Sequence, residues 1–178
     1  MRSLSRWLVS EETGQSFSHC VNCRLPLLEI DAPWLVNKDF FRGECLLEYA
    51  ICQPCRDKVS ARVPEATKAA VREFLETEID WQTRLAEHLG HGGEELRFAR
   101  CISCRRPRGE LDGFALSALF DAGGQLVEGP LPLLMCRDCY GRMTSLLCET
   151  SRAIWRKFLT ENFEQPHDPD SFGDLGIF

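Results

Sequence analysis

Eight of the ten cysteines in this sequence fall into four Cys-x-x-Cys pairs: Cys20/Cys23, Cys52/Cys55, Cys101/Cys104 and Cys136/Cys139. Two thiolates three positions apart can grip one metal ion when the chain turns tightly between them. Two such pairs complete the tetrahedron that Zn²⁺ adopts in structural sites. The expected sites are therefore Cys20, Cys23, Cys52 and Cys55 for one zinc ion, and Cys101, Cys104, Cys136 and Cys139 for a second, two Zn²⁺ per chain. A closed tetrathiolate leaves no open coordination position, which argues against catalysis at the metal. Cys45 and Cys148 stand alone and read as small core side chains.

The assignment of pairs to sites rests on an internal repeat. Residues 17–29 laid over 98–110 match at six of thirteen positions: Phe17/Phe98, Cys20/Cys101, Cys23/Cys104, Arg24/Arg105, Pro26/Pro107 and Glu29/Glu110. At an offset of 84, Cys52 and Cys55 fall on Cys136 and Cys139, and Arg72 to Leu75 falls on Arg156 to Leu159. Three residues have been inserted between the paired motifs of the second copy. A duplicated small domain explains this better than a solenoid.

Within each copy the elements that must hold the cysteines read as knuckle, hairpin, helix. Apolar runs at Gly113–Phe120 and Leu126–Met135 flank the turn cluster Asp121-Ala122-Gly123-Gly124. Trp34–Phe41 and Cys45–Ile51 flank Arg42-Gly43-Glu44. Both read as β-hairpins whose second strand ends on the second cysteine pair. From Cys139 onward, Met143, Leu146, Leu147, Ile154, Phe158 and Leu159 recur at helical spacing with no proline before Pro166, so one long amphipathic helix is expected. In the first copy Val59, Val63, Val71, Phe74, Leu75 and Ile79 form the same stripe. Pro64 predicts a kink or restart, and Trp81, Leu85 and Leu89 extend the pattern to Gly90-His91-Gly92-Gly93, a linker signal. The expected organisation is an N-terminal segment 1–16, a first zinc module with an extended helix 17–90, a linker 91–97, a second module 98–163 and an acidic tail 164–178. The expected fold class is α+β.

A cysteine pair on a knuckle, a hairpin, and a second pair at a helix start resembles the treble-clef group of zinc fingers. The resemblance covers roughly residues 17–80 and 98–163. It implies a structural metal and a surface used for binding protein or nucleic acid. The histidines that nuclease members of that group add have no match among the four here.

Two other chemistries fit Cys-x-x-Cys less well. A thioredoxin-type redox site suits Cys52-Gln53-Pro54-Cys55, but Cys136-Arg137-Asp138-Cys139 lacks the proline, and redox chemistry does not require the pairs at 20/23 and 101/104. Rubredoxin-like iron is disfavoured because Arg24, Arg56, Arg105 and Tyr140 stand where a glycine usually follows the second cysteine. Arg24 with Glu29, and Arg105 with Glu110, are expected to brace the knuckles or cover the thiolates with donors.

The composition, 44% hydrophobic and 27% charged, is that of a globular protein. The net charge of −6 is uneven. Residues 99–160 carry nine basic against six acidic groups, whereas the last eighteen residues carry five acids and no Lys or Arg. Arg100, Arg105, Arg106 and Arg108 cluster on the second knuckle as candidate anion or nucleic-acid contacts. The tail, closing on Asp-Leu-Gly-Ile-Phe, reads as a segment that orders on a partner or shields those arginines. No apolar run is long enough to span a membrane and no secretory signal is evident, so a cytoplasmic location is expected. No constellation for hydrolysis, phosphate cradling or dinucleotide binding is present. The expected function is non-catalytic: a zinc-held protein-interaction or adaptor module with an unidentified protein partner. The alternatives are a nucleic-acid-binding regulator or a thiol redox or metal-sensing protein.

Overall fold

The computed structural model describes residues 6–89, 94–127 and 131–164. Two hairpins meet edge to edge. Strands β1 (Trp34–Phe41) and β2 (Glu44–Cys52) form the first, and β3 (Gly113–Phe120) and β4 (Leu133–Cys136) the second. The order across the sheet is β2-β1-β3-β4 with every neighbouring pair antiparallel. The two copies are therefore joined through β1 and β3, over eight paired residues from Trp34↔Phe120 to Phe41↔Gly113. At the sequence offset of 81 this pairing is self-symmetric. Its local two-fold axis passes between Val36 and Asn37 on β1, and between Ser117 and Ala118 on β3.

This central position explains why β1 is buried along almost its whole length, apolar on both faces except at Asn37, Lys38 and Asp39. Asn37 lies beside the axis and accepts a hydrogen bond from the Ser117 hydroxyl at 2.6 Å, while its own Nδ2 is buried with no hydrogen-bond partner among the described residues. Lys38, whose side chain is fully buried, points to the opposite face. Its ammonium donates to the Val9 carbonyl and to Glu11 Oε1, both at 2.6 Å, and lies 3.6 Å from Glu48 Oε2. Glu48 in turn accepts from the Ser10 hydroxyl and from the backbone N–H groups of Glu11 and Glu12. This ionic cluster pins the N-terminal segment to the sheet, and Trp7 completes the attachment with edge contacts to Phe40 and Phe114.

Helices cover the other face. In the first copy α1 (Gln53–Ser60), α2 (Glu65–Glu78) and α3 (Trp81–Leu89) follow β2. The short α4 (Glu94–Arg97) leads into the second knuckle, and α5 (Arg137–Thr144) and α6 (Glu149–Asn162) follow β4. Phe158 of α6 packs on Tyr49 of β2, so the second copy's helix lies over the first copy's strand. At the N-terminal ends of α2 and α6 the Ser151 hydroxyl donates to Thr67 Oγ1 at 3.2 Å, and these positions are equivalent in the repeat.

The α+β class and the two hairpins agree with the sequence. Three features of the helices and strands differ. The long helix expected from Cys139 to Leu159 is two helices, because the chain breaks at Ser145 to Cys148. Cys148 occupies the position of Pro64 in the repeat, and each is the residue before its second helix. Likewise the extended helix of the first copy is three helices. Asp80 ends the run by capping α3, its carboxylate accepting from the Thr83 N–H at 3.0 Å and from the Thr83 hydroxyl at 2.7 Å. Finally, β4 holds four residues, shorter than the apolar run Leu126–Met135. Of the expected linker 91–97, residues 91–93 lie outside the described residues and Glu94–Arg97 form α4. Of the acidic tail, only Glu164 is among the described residues.

Candidate metal centres

Each knuckle is built by two backbone hydrogen bonds. Cys20 N–H donates to the Leu25 carbonyl at 3.0 Å and Arg24 N–H to the Cys20 carbonyl at 2.9 Å. Cys101 and Arg105 repeat this at 2.9 and 3.0 Å toward the Arg106 and Cys101 carbonyls. The turn requires a left-handed residue after the second cysteine, and Arg24 (φ 63°) and Arg105 (φ 65°) adopt it. A glycine takes this conformation without cost; an arginine in it is strained. The side chain has a use that glycine lacks. Arg24 donates to the Asn162 carbonyl at the end of α6 at 3.1 Å, where a helix leaves its last carbonyls without partners. Arg105 pairs with Glu87 of α3. Each knuckle arginine thus grips a helix of the other copy.

The second cysteine pair enters at a strand-to-helix junction. Cys52 is the last residue of β2 and precedes α1, with Cys55 in the first helical turn; Cys136 and Cys139 stand in the same way on β4 and α5. The sulfurs of Cys20, Cys23, Cys52 and Cys55 all lie within 4.8 Å of one another, as do those of Cys101, Cys104, Cys136 and Cys139. Cys23 Sγ is 3.9 Å from Cys52 Sγ, and Cys104 Sγ is 3.7 Å from Cys136 Sγ. A tetrahedron with metal–sulfur bonds of about 2.3 Å has edges of about 3.8 Å. Donor type, number and spacing therefore fit a tetrahedral thiophilic ion at both positions.

Four thiolates around a divalent cation keep excess negative charge, and the surroundings supply donors to it. The Cys52 N–H points at Cys20 Sγ (3.4 Å) and the Cys136 N–H at Cys101 Sγ (3.3 Å). Here the symmetry ends. At the second centre Arg106 reaches Cys136 Sγ and Arg142 reaches Cys139 Sγ, each at 3.5 Å, while the repeat places Leu25 and Lys58 at those positions of the first. Burial opposes ionisation of Cys104, but the Arg106 side chain and backbone outweigh it and bring the thiol down to about 6.

The other residues singled out in the sequence fall in different places. Glu29 and Glu110 sit exposed in 3-10 turns and make no ion pair among the described residues; Asn162 and Glu87 take the arginines instead. Arg106 also pairs with Asp138. Arg108 lies 4.3 Å over the Trp7 ring and donates to the Phe98 carbonyl. Arg100 donates to the Arg105 carbonyl. The four arginines of the second knuckle thus point to several partners rather than forming one face. Cys45 is half-buried against Glu48, and burial first, then that carboxylate, push its thiol up to about 12. Cys148, exposed before α6, receives a hydrogen bond from the Thr67 hydroxyl and lies 3.3 Å from Ser151 Oγ. Ser151 first, then Thr67, bring its thiol down to about 7. Sequence reasoning read both as core side chains, and the alignment of Cys148 with Pro64 was the available sign of its exposed helix-start position.

Comparisons with protein-family models, curated proteins and solved structures return no match to this chain. Among the described residues no helix is long and apolar enough to cross a membrane.

Proposed function

We propose that the chain is a non-catalytic, zinc-stabilised interaction module, an adaptor whose two treble-clef-like halves use Zn²⁺ to fix the surface they present to a protein partner. The observation that carries this reading is the closure of both centres. Four protein sulfurs converge at each, and backbone N–H groups and, at the second, two arginines occupy the outward lone pairs. Cys20, Cys23, Cys52 and Cys55 would hold one ion and Cys101, Cys104, Cys136 and Cys139 the other. The metal would supply folding free energy, on the order of 10 kcal/mol per site, and no reaction step.

The nucleic-acid reading is weaker because Arg105, Arg106 and Arg108 are engaged within the fold. The test is the metal content of protein purified without added metal, combined with alkylation of the native thiols. About two zinc ions per chain, with the eight paired cysteines protected until a chelator is added, is the expected result. A folded metal-free chain, or rapid alkylation of all eight, would overturn it. A salt-dependent gel shift with DNA or RNA would favour the nucleic-acid regulator over the protein adaptor.

A further inference from the structure

A single exposed leucine needs no explanation on a protein surface, but apolar side chains gathered over one turn do. On the first knuckle Leu25 is 55% and Leu28 70% exposed. At the equivalent positions of the second copy stand Arg106 and Gly109, and Asp138 stands at that of Pro54. Arg106 and Asp138 pair with each other, so knuckle and helix start are neighbours in this construction. In the first copy the same two places hold Leu25 and the exposed Pro54. Leu28 carries the surface on toward the sheet. Its Cδ2 and the edge of the Trp34 ring meet at Gly124, where an added Cβ would stand 3.1 Å from the one and 3.4 Å from the other. Trp34 is in turn the strand partner of Cys52, two residues before Pro54. The place that an ion pair closes in one copy is an open apolar patch in the other.

Helix α6 ends beside this patch. Arg24, the residue before Leu25, donates to the Asn162 carbonyl at 3.1 Å. The Val21 N–H of the same knuckle donates to the Ala50 carbonyl at 2.8 Å, and next to Ala50 on β2 the Tyr49 ring lies 5.9 Å from that of Phe163. One arginine side chain and one residue step of about 3.8 Å thus separate the Asn162 carbonyl from Leu25. Residues 165–178 include Phe172, Leu175, Ile177 and Phe178. We infer that the patch of Leu25, Leu28 and Pro54 is the docking site for residues 172–178 of the same chain. The reach suffices, because an extended chain from Glu164 to Phe172 spans up to about 29 Å, at roughly 3.6 Å per residue. A short tether also holds the segment at an effective concentration on the order of millimolar, so a contact too weak to retain a separate peptide is occupied here. Shielding of the second knuckle's arginines, the role expected from sequence, has less ground: α6 delivers the segment to the first knuckle, and Arg105, Arg106 and Arg108 have partners within the fold. The inference stands apart from the adaptor reading, since neither zinc nor a second protein enters it.

The test is hydrogen–deuterium exchange of the full chain, read by mass spectrometry over residues 172–178 and compared with a synthetic peptide of residues 165–178. The expected result is exchange about tenfold or more slower in the chain than in the free peptide. Leu28→Asp on the patch, or Phe172→Ser in the segment, should return it to within about twofold of the peptide's rate. Phe172→Ser leaves every residue of the described fold unchanged, so it decides the matter where Leu28→Asp disturbs the knuckle. Leu85→Asp, at the 58% exposed leucine of α3, should leave the protection intact. Exchange at the peptide's rate in the unaltered chain would overturn the docking and leave the patch to a separate protein. Protection that survives both Leu28→Asp and Phe172→Ser, or that Leu85→Asp removes equally, would overturn it as well. Protection that rises with protein concentration would overturn it in favour of a second copy of the chain.

Discussion

At the scale of single residues, the two candidate metal centres share their four sulfur donors, knuckle hydrogen bonds and N–H to sulfur contacts but differ in charge. Arg106 and Arg142 approach the thiolates of the second centre, whereas Leu25 and Lys58 occupy their places in the first. Replacing Arg106 by Gln removes a charged donor and releases Asp138 beside the sulfurs. Outer partners of metal ligands typically contribute ten- to a hundredfold in affinity, so about a tenfold loss is expected at the second centre alone. For the zinc-loaded protein, competition with a chromogenic chelator should then resolve one weakened and one unchanged site; equal release from both in wild type and variant would contradict it. The cysteines themselves were legible in the sequence, because ligand chemistry fixes their type and spacing. The helix-gripping role of Arg24 and Arg105 was not. The sequence paired each with the acid five positions on, while the actual partners, Asn162 and Glu87, lie in the other copy.

Between residue and element stands the attachment of the N-terminal segment. Burial alone would raise the Glu48 pKa, but hydrogen bonds from Ser10, Glu11 and Glu12 and the charge of Lys38 overcome it and hold the carboxyl below its usual value. A group whose folded pKa is depressed stabilises the fold fully above its unfolded pKa, and that contribution disappears as pH falls through the folded value. Glu48→Gln should therefore cost about 1.5–3 kcal/mol at neutral pH, the range for hydrogen bonds to a charged group. The gap in urea midpoint between wild type and variant should begin to narrow as pH falls below the ordinary glutamate value of about 4.3, and close below the folded one. Taking the difference between the two proteins removes the loss of metal in acid that both share. The segment's docking was hidden in the sequence, since a lysine in a strand reads as a solvent-facing residue.

At the scale of elements, helix breaks decide where the apolar faces point. Pro64 announced the first break. The second, at Ser145 to Cys148, was concealed because Leu146 and Leu147 preserve the helical spacing through it, although Leu146 is 41% exposed. Both breaks have the same hydrogen bonds, Val63 N–H to Ser60 and Leu147 N–H to Thr144. Cys148 has φ −72° and ψ 165°, a conformation proline adopts readily. Cys148→Pro should accordingly fold with a melting temperature within a few degrees of wild type, about 1 kcal/mol either way. A loss of more than about 3 kcal/mol, the cost of proline inside a helix, would show that α5 and α6 are continuous.

For the whole molecule, the joining of β1 to β3 makes the two halves parts of one sheet and one apolar cluster. Two independent modules would respond to loss of Cys20 or Cys101 by unfolding one half and sparing the other. The shared sheet instead predicts a single cooperative transition. Cys20→Ser or Cys101→Ser should each lower it as a unit, and fragments 6–89 and 94–164, expressed alone, should not reach the native ellipticity. Two separated transitions in either variant would contradict the shared core. What hid this junction is physical: hairpin partners are set by a local turn, whereas a pairing between distant strands leaves no local signal beyond β1's near-continuous apolar run.

That junction also has a consequence for how the chain is made. Asn37 and Ser117 are 80 residues apart, so β1 leaves the ribosome well before its central partner exists, by several seconds at ~5–20 residues per second. In that interval the first hairpin has one edge of β1 open, and an open strand edge is a template for pairing with the wrong chain. Lys38 and Asp39 lie in the middle of that edge. Charged side chains there discourage a stranger from pairing, and the same lysine, once the fold closes, is buried on Glu11 and the Val9 carbonyl. One residue thus guards the nascent strand before it anchors the finished one.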